Sequence, residues 1–456
     1  MLDDTIAAVA TPLGEGGLAV IRLSGPEALA VADRSFAPAG EASVKPSAAA
    51  THTIHFGHVV RDGQTVDEAL LAVMRAPRTF TREDVVEITC HGGILAAKMV
   101  LDTVLANGAR LAEPGEFTRR AFLNGRIDLA QAEAVADLIH SRTELALRAA
   151  NEQLAGKLSQ RINKLRDQML ETLAHVEAHI DFPEEDIAPD TLEQFIARLQ
   201  NGVAFMDELL RTAHEGQILR HGIRAAIIGR PNAGKSSLLN QLLGHDRAIV
   251  SAIPGTTRDT IAETANIRGL PVIFIDTAGL REARDELELE GVRRSRRTLE
   301  EAEFILHVFD AAEPLTDADG EYLAEFAGKK RILVRNKVDL PLRLYFPPDL
   351  KGLVVDVSCL TGQGIEPLKD AIKELAWSGE IRAEMLQVMI NSRHQHALNR
   401  ARAATLSTLA ALKENQTLEF VALDLRIAVN AVGEIVGQTT TEDLLDLIFS
   451  QFCIGK

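Results

Sequence analysis

The sequence predicts a multidomain fold: an N-terminal α+β domain, a discontinuous all-α helical domain, and an α/β domain inserted into that helical domain. Three observations predict it. Strand-like apolar spacing extends to about residue 118, proline-poor helical patterns lie on both sides of the centre, and a glycine-rich loop joins a strand to a helix between them. The predicted domains are 1–118, 119–216, 217–379 and 380–456, with the second and fourth forming one helical domain. Two separate helical domains remain an alternative.

Composition excludes several classes of protein. The 456 residues carry a net charge of −16, so any contact with RNA is expected to be local or supplied by a partner. Three scattered cysteines, Cys90, Cys359 and Cys453, form no disulfide framework and fit a reducing compartment. The acidic N-terminus lacks the basic residues of a signal peptide, and no apolar run is long enough to span a membrane. We therefore expect a cytoplasmic protein with no membrane partner.

The first 118 residues carry strand patterns. Residues 5–25 indicate two strands joined by a glycine-rich turn, without the G-x-G-x-x-G spacing and following helix of a dinucleotide site. Four histidines could suggest a metal site: His52, His55, His58 and His91. Polar positions on half-exposed strands are the favoured interpretation, because no cysteine or carboxylate set with ligand spacing accompanies these histidines.

The pattern then becomes helical. Between Ile127 and Ile180 there is no proline and one glycine, and apolar residues recur at helical spacing, which predicts long amphipathic helix. The proline in DFPEED (181–186) should end it, and a further helix is predicted from about residue 191 to 213. Long helical patterns return near the C-terminus. Because an insert with adjacent termini is tolerated in a loop, we infer one helical domain that contains the central domain.

The central stretch from Gly229 to Ser236 fits G-x-x-x-x-G-K-[ST], the loop whose backbone amides surround nucleotide phosphates. An apolar run from Ile223 indicates a buried strand before the loop, and a helical pattern follows the loop. Glycine lets the backbone approach an anion, which the amides and dipole of the helix N-terminus then face. We expect Lys235 to reach the β- and γ-phosphates and the Ser236 hydroxyl to ligate Mg²⁺.

Four further motifs follow in the order typical of a Ras-like α/β P-loop G domain. SAIPGTTRD supplies Thr257 to the Mg²⁺ shell, LPVIFIDTAG delivers Asp276 to the γ-phosphate, and two more strands end in NKVD and SCL. The Asp339 carboxylate can accept from both the ring N–H and the amino group of guanine, which selects GTP over ATP. The predicted GTP-binding residues are Asn232, Ala233, Gly234, Lys235, Ser236, Ser237, Ser251, Ala252, Ile253, Pro254, Gly255, Thr256, Thr257, Asp276, Thr277, Ala278, Gly279, Asn336, Lys337, Asp339, Ser358, Cys359 and Leu360.

One position departs from the Ras pattern. Leu280 follows DTAG, where Ras carries the glutamine that orients the attacking water, and a leucine side chain cannot orient water. Hydrolysis then needs another water-positioning group and another source of positive charge. The next stretch offers four carboxylates, most of which are expected on a solvated helix: Glu282, Asp285, Glu286 and Glu288.

Motifs along nearly the whole chain resemble one family. DTIAAVATPLGEGGLAVIRLSG, PGEFTRRAFLNGRIDLAQAEAVADLI, IDFPEEDI, GRPNAGKSSLLN, DTAGLRE and the terminal FCIGK are similar to the MnmE (TrmE) family of bacterial tRNA-modification GTPases. The resemblance implies an N-terminal folate-binding and dimerisation domain, a discontinuous helical domain and an inserted G domain.

The resemblance also implies site residues. A potassium ion would be held by the side chains of Asn232 and Thr256 and by carbonyls near Ser251 and Ile253, beside Mg²⁺ on Ser236 and Thr257. Such an ion can do the work of an arginine finger. Among the carboxylates, the family's water-orienting residue falls on Glu288.

The family's contacts with 5-formyl-tetrahydrofolate fall on Arg22, Glu87, Arg126 and Lys456. Position 126 is often lysine in relatives, and arginine keeps the charge but not the geometry. Arg82 and Cys359 are further departures, at positions where glycine and alanine are usual. Neither removes a group that the chemistry needs.

Cys453 and one basic stretch allow several interpretations. CIGK formally fits a prenylation motif but suits no prenyl pattern, so Cys453 is either a buried structural residue or, as the family suggests, a catalytic thiol near the folate. A run of arginines could contact RNA, but a helix face with i,i+4 charge pairs is favoured: Arg293, Arg294, Arg296 and Arg297.

The resemblance implies a homodimeric, potassium-dependent GTPase acting with the flavoprotein MnmG, which supplies FAD. Together they would add a carboxymethylaminomethyl or aminomethyl group at C5 of the wobble uridine of certain tRNAs, with a formyl- or methylene-tetrahydrofolate as one-carbon donor. The alternative is a ribosome-assembly GTPase that acts as a timer; the acidic balance and FCIGK favour the enzyme. A third alternative, a membrane-remodelling GTPase, is disfavoured, because the sequence lacks a basic amphipathic helix with exposed aromatics.

Overall fold

The computed structural model describes residues 4–40, 43–182, 189–244, 263–275, 300–348, 350, 352–377 and 383–456. The chain divides into two compact units. The first comprises Met1–Ala136, Leu154–Leu199 and Arg400–Lys456, and the second comprises Asp137–Gln153 and Gln200–Asn399. Across these described stretches, no helix combines the length and the apolar character needed to cross a bilayer.

The first unit contains a seven-stranded sheet in the order β3-β4-β5-β6-β2-β1-β7. Its neighbours are antiparallel except β1 and β7, and β1 and β2 are the two strands that the sequence predicts around the glycine-rich turn. Helices α1 and α2 pack on one face and bury the alternating apolar side chains of the sheet. The strands are β1 (Ile6–Val9), β2 (Leu18–Ser24), β3 (Phe36–Pro38), β4 (Thr53–Arg61), β5 (Gln64–Met74), β6 (Val85–His91) and β7 (Arg110–Leu111).

The helices up to the P-loop differ from the prediction in one respect. The single long helical stretch is three helices, because α5 ends before Gly156, which adopts the left-handed region (φ +81°) as the N-cap of α6. Helix α6 ends at Asp181, as the following proline in the sequence predicts. These helices are α1 (Ala28–Ser35), α2 (Ile94–Ala106), α3 (Glu116–Leu123), α4 (Leu129–His140), α5 (Glu144–Leu154), α6 (Lys157–Asp181), α7 (Pro189–Arg211) and α8 (Ala213–His221).

From Arg400 onward the C-terminal helices belong to the first unit. Helix α14 (Leu418–Val436) packs along α6, where Arg426 forms an ion pair with Glu177 (2.7 Å). Helix α15 adds Leu445, Ile448 and Phe449 to a small core that also contains Leu129. Helix α13 spans Ser392–Lys413, α14 spans Leu418–Val436 and α15 spans Glu442–Phe449.

A charged cluster lies inside the first unit. The Arg120 side chain is fully buried, and its guanidinium contacts Asp4 (2.7 Å), Glu116 (2.9 Å) and Glu83 (3.3 Å). Burial raises the pKa of Glu116, but hydrogen bonds from Arg110, from the backbone N–H of Glu113 and from Arg120 outweigh that effect and hold its pKa below the usual value. The cluster therefore joins Asp4, which precedes β1, to the loop before β6 and to helix α3.

The second unit is built on a six-stranded sheet in the order β13-β12-β11-β8-β10-β9, in which only the edge pair β9–β10 is antiparallel. Near-continuous apolar strands fit a parallel sheet that is covered on both faces. Its strands are β8 (Ile223–Ile228), β9 (Glu263–Ile267), β10 (Leu270–Phe274), β11 (Phe304–Asp310), β12 (Lys330–Asn336) and β13 (Leu353–Val357). Its remaining helices are α9 (Lys235–Leu243), α10 (Asp317–Glu325), α11 (Ile365–Ala376) and α12 (Ala383–Leu386).

Part of the predicted helical domain shares the core of this second unit. Ala146 of α5 belongs to the same buried cluster as Leu238 of α9 and Phe274 of β10. Arg142, just before α5, donates to the hydroxyl of Thr264 on β9 (2.6 Å). Residues 137–153 are thus helical in sequence pattern but pack with the α/β sheet.

Candidate functional site

The P-loop lies between β8 and α9, as the sequence predicts. The four residues Asn232, Ala233, Gly234 and Lys235 connect the sheet to the helix, and Gly234 is the N-cap of α9 with φ +96°. Asn232 is exposed and also lies in the left-handed region, at φ +64°. The turn therefore presents the backbone amides at the start of α9 toward the carboxyl edge of the parallel strands, where α/β proteins bind nucleotides.

The Lys235 side chain forms hydrogen bonds with the backbone of the P-loop. Its ammonium group donates to the backbone carbonyls of Gly229 (2.9 Å) and Arg230 (2.8 Å). Burial lowers the pKa of Lys235, because desolvation penalises the charged form. A phosphate oxygen would restore a full counter-charge at this position. Ser236 and Ser237 follow on the first turn of α9.

Asn336 joins three of the predicted motifs. Its side-chain amide donates to the carbonyl of Ala233 in the P-loop (2.9 Å), and its side-chain oxygen accepts from the backbone N–H of Cys359 (3.1 Å). The residue is 2% exposed. A side chain at position 234 would overlap the Asn336 amide, so glycine is required there for this packing as well as for its backbone conformation.

The guanine-recognition residues lie beside Asn336. The Ser358 hydroxyl donates to the Asp339 carboxylate (2.5 Å), which fixes the orientation of the group expected to accept from guanine. Lys337 adopts φ +66° and forms an ion pair with Asp310 (2.6 Å). Burial and the neighbouring Asp339 raise the pKa of the Cys359 thiol to about 11, so this thiol is neutral near pH 7. Leu360 is exposed.

Several predicted residues lie outside the described part of the chain. They include the water-orienting candidate, the position that departs from Ras, and the loops expected to complete the metal sites: Ser251, Ala252, Ile253, Pro254, Gly255, Thr256, Thr257, Asp276, Thr277, Ala278, Gly279, Leu280 and Glu288. The run Arg293, Arg294, Arg296 and Arg297 lies outside it as well.

A second candidate site lies in the first unit, where Arg22 and Glu87 are directly opposite each other on β2 and β6. Their side chains form an ion pair at 2.7 Å and remain partly exposed. The Arg22 guanidinium also lies over the Phe117 ring, 5.8 Å from its centroid, and donates to the carbonyl of Gly455 (3.4 Å). The structure thus brings together two of the four predicted folate contacts and the C-terminal motif.

The FCIGK end is anchored beside this pair by backbone bonds. The N–H of Gly115 donates to the carbonyl of Cys453 (3.4 Å), and the N–H of Phe117 donates to the carbonyl of Lys456 (3.2 Å). Cys453 is exposed, so the buried structural alternative for this cysteine is wrong. Sequence reasoning missed the roles of Phe117 and of the Gly455 carbonyl, because neither a core phenylalanine nor a backbone oxygen has a sequence signature.

Arg126, another predicted folate contact, lies over a different phenylalanine. Its guanidinium lies over Phe80 (5.4 Å to the ring centroid) and donates to the carbonyl of Thr79 (2.9 Å). Phe80 packs against a buried cluster that contains Phe117, the ring under Arg22. Arg22 and Arg126 therefore lie over two rings that pack in one apolar cluster, and Glu87 forms its ion pair with Arg22.

Arg82 adopts a left-handed backbone conformation. Its φ is +60°, a conformation that glycine adopts without a Cβ penalty, and glycine is usual at this position in the resemblance described above. The Arg82 side chain donates to the carbonyl of Asn124 (2.9 Å), and the Asn124 side chain donates to the carbonyl of Thr81 (2.7 Å). These bonds connect the loop before β6 to the residue after α3.

Comparisons with known proteins agree with this geometry. A family model described as the MnmE helical domain matches residues 129–453, and one described as the GTP-binding protein TrmE N-terminus matches residues 5–126. A curated protein of Geobacillus kaustophilus (strain HTA426), named tRNA modification GTPase MnmE, is 49% identical over 465 residues that cover 99% of each chain. The chain belongs to the MnmE family of tRNA modification GTPases.

Other MnmE-family relatives span the same length. Proteins with the same name from Geobacter metallireducens (strain ATCC 53774 / DSM 7210 / GS-15) and Bacillus subtilis (strain 168) are 48% and 45% identical. The first match covers 100% of both chains, and the second covers 99% of this chain and 100% of the relative. These relatives confirm the predicted family, the fold class and the GTP hydrolase activity.

Among solved structures, the chain is similar to the G domain of the T. maritima FeoB iron transporter. The identity is 25% over 34% of this chain and 99% of that chain, with a TM-score of 0.25. A score this low supports no inference, so family membership rests on the sequence relatives.

Proposed function

We propose that this MnmE-family GTPase uses GTP turnover to drive modification of C5 of the wobble uridine in certain tRNAs, together with MnmG and a folate one-carbon donor. The observation that supports GTP binding is the pair of hydrogen bonds made by the Asn336 side chain. One joins it to the P-loop and the other to the guanine-recognition loop. A glycine turn before an ordinary surface helix would not be tied to the NKVD and SCL motifs in this way. The exocyclic group added would be carboxymethylaminomethyl or aminomethyl.

Different residues of the second unit would contact different parts of the nucleotide. Lys235 would exchange its two backbone carbonyls for phosphate oxygens, and Asp339, oriented by Ser358, would accept from the guanine edge. Ser236, on the first turn of α9, has a hydroxyl suited to Mg²⁺, which neutralises phosphate charge when bound. Glu288, beyond the described residues, would orient the attacking water in place of the missing glutamine.

Asn232 is the proposed potassium ligand. It offers a neutral carbonyl oxygen from an exposed left-handed position in the P-loop, and neutral oxygens suit a weakly charged monovalent cation. Potassium would supply positive charge near the transferred phosphoryl group. No arginine from another protein would then be required.

GTP turnover should depend on the monovalent cation. In buffers matched for ionic strength, we expect hydrolysis to be about tenfold or more faster in potassium than in sodium. The proposed potassium ion would take the place of an arginine finger, and an arginine in that role gives larger factors. Asn232→Ala should remove the difference while leaving GDP affinity near wild type. Equal wild-type rates in the two salts would contradict the cation mechanism.

The geometry around Glu87 supports a folate site. A partly exposed carboxylate can accept from the amino and ring N–H groups of a pterin, while Arg22, Arg126 and Lys456 offer cations for the glutamate tail. The exposed thiol of Cys453 lies on the same C-terminal motif and is the proposed catalytic cysteine. FAD would remain with MnmG.

A homodimer is supported by an apolar face of the first sheet. Ile54 is 70% exposed, and Phe56 and Leu70, which are paired across β4 and β5, are 49% and 46% exposed. Burying such a patch against a second copy would remove it from water. Phe56→Asp should give a monomer by sedimentation equilibrium, whereas Tyr345→Asp, at an exposed aromatic of the second unit, should not. A wild-type monomer would contradict the dimer.

Nucleoside analysis tests the whole proposal. A bacterial strain that lacks its own MnmE should regain the modified wobble uridine when it expresses this chain, and it should not regain it with Asp339→Ala, which removes the guanine acceptor. GTP hydrolysis without restored modification would favour the ribosome-assembly timer.

A further inference from the structure

The backbone of one residue of the guanine-recognition loop, Cys359, is held from two sides. The N–H of Cys359 donates to Asn336, and the carbonyl of Cys359 accepts from the side-chain amide of Gln241 (2.8 Å). Gln241 lies on the last turn of α9, the helix that begins at Lys235. No motif includes Gln241, and a glutamine on the exposed side of a helix would ordinarily be a solvated residue.

The loop needs an external support because of its place in the sheet. It follows β13, which among the described strands is at an edge of the sheet and pairs only with β12. Its own backbone bonds, from Ser358 N–H to the Gln363 carbonyl (2.9 Å) and from Gly362 N–H to the Ser358 carbonyl (2.8 Å), close it into a turn. Asp339 and Asn336 hold it from the guanine motif, while Gln241 holds it from the P-loop helix.

We propose that Gln241 is a positioning residue for guanine recognition, which fixes the Ser358–Leu360 loop against the P-loop helix and thereby sets the residence time of bound GDP and GTP. The inference rests on the proposed guanine-nucleotide function and adds a residue to it. Loss of one partly buried hydrogen bond should speed nucleotide dissociation by about fivefold. The rate of GTP hydrolysis should not change, because Gln241 contacts the loop expected to bind guanine and not the loop expected to bind the phosphates.

The test compares two isosteric changes on adjacent residues of the full-length chain. Gln241→Glu removes the donor and places a carboxylate against the Cys359 carbonyl, whereas Asn240→Asp adds the same charge at an exposed neighbour. The charge effect on the phosphates is therefore shared by both variants. Stopped-flow dissociation of a fluorescent GDP analogue gives the residence time, and steady-state GTP turnover gives KM and kcat.

We expect Gln241→Glu to dissociate GDP about fivefold faster than Asn240→Asp and to raise KM with kcat unchanged. Gln241→Lys, which restores a donor of similar reach, should return the rate toward wild type. Equal dissociation rates in the Glu and Asp variants would overturn the positioning role. So would a parallel fall in kcat and in the urea midpoint of unfolding, followed by the fluorescence of Trp377, the one tryptophan of the sequence, which is buried in the second unit. Failure of wild type to prefer GDP over ADP would instead overturn the guanine-nucleotide function itself.

Discussion

Gly234→Ala should lower GTP affinity by about 30-fold or more. At φ +96° an alanine is strained by about 1–3 kcal/mol, and its Cβ would overlap the side-chain amide of Asn336. Moving Asn336 breaks its buried bonds to Ala233 and Cys359, which adds about 1–3 kcal/mol. Because each 1.4 kcal/mol is about tenfold in affinity, the sum accounts for the expected loss. Isothermal titration with GDP and a non-hydrolysable GTP analogue measures it.

Gly320→Ala is the matched control in the same unit. Gly320 lies within α10 at an ordinary φ, and an added Cβ there meets open space. Alanine should raise helix stability by about 1 kcal/mol or less and leave nucleotide affinity unchanged. An unchanged affinity in Gly234→Ala would show that the P-loop does not need the described conformation to bind nucleotide.

Arg120→Met should destabilise the first unit by about 3–5 kcal/mol. The substitution removes a fully buried cation and leaves the carboxylates of Glu116, Glu83 and Asp4 without it. Urea unfolding followed by far-UV circular dichroism should show an earlier transition. Trp377, the one tryptophan of the sequence, is buried in the second unit, so its fluorescence transition should remain in place.

The neighbouring Arg119→Met is the control for this substitution. Arg119 pairs with an exposed partner, Asp446, and such pairs contribute about 0–1 kcal/mol. Acid gives a second readout. The pKa of Glu116 is lowered in the folded state, so its contribution to stability is present above its ordinary value of 4.5 and is lost as the pH falls through the folded pKa. The difference in the free energy of unfolding between wild type and Arg120→Met should therefore become smaller below about pH 4. A constant difference would contradict the ion-pair account.

The P-loop and the family could be predicted from sequence because their signals are local. Gly229 to Ser236 encodes a turn and a helix start within eight adjacent residues, and each guanine motif ends its own strand. Even so, local patterns gave one long helix from Ile127 where the structure has three. Gly156 was the single available signal, and Ser141–Thr143 contain neither glycine nor proline to mark the other break.

The sequence by itself determined the order of domains, the nucleotide class and the family, because these depend on residue type and short spacing. The tertiary structure decided which distant groups meet: the two side chains that bond to the Cys359 backbone, FCIGK against Arg22, and Arg120 among three carboxylates. These pairings involve backbone carbonyls or residues up to 433 positions apart. Their energies come from desolvated hydrogen bonds and ion pairs that exist only after burial, so no local pattern in the chain encodes them.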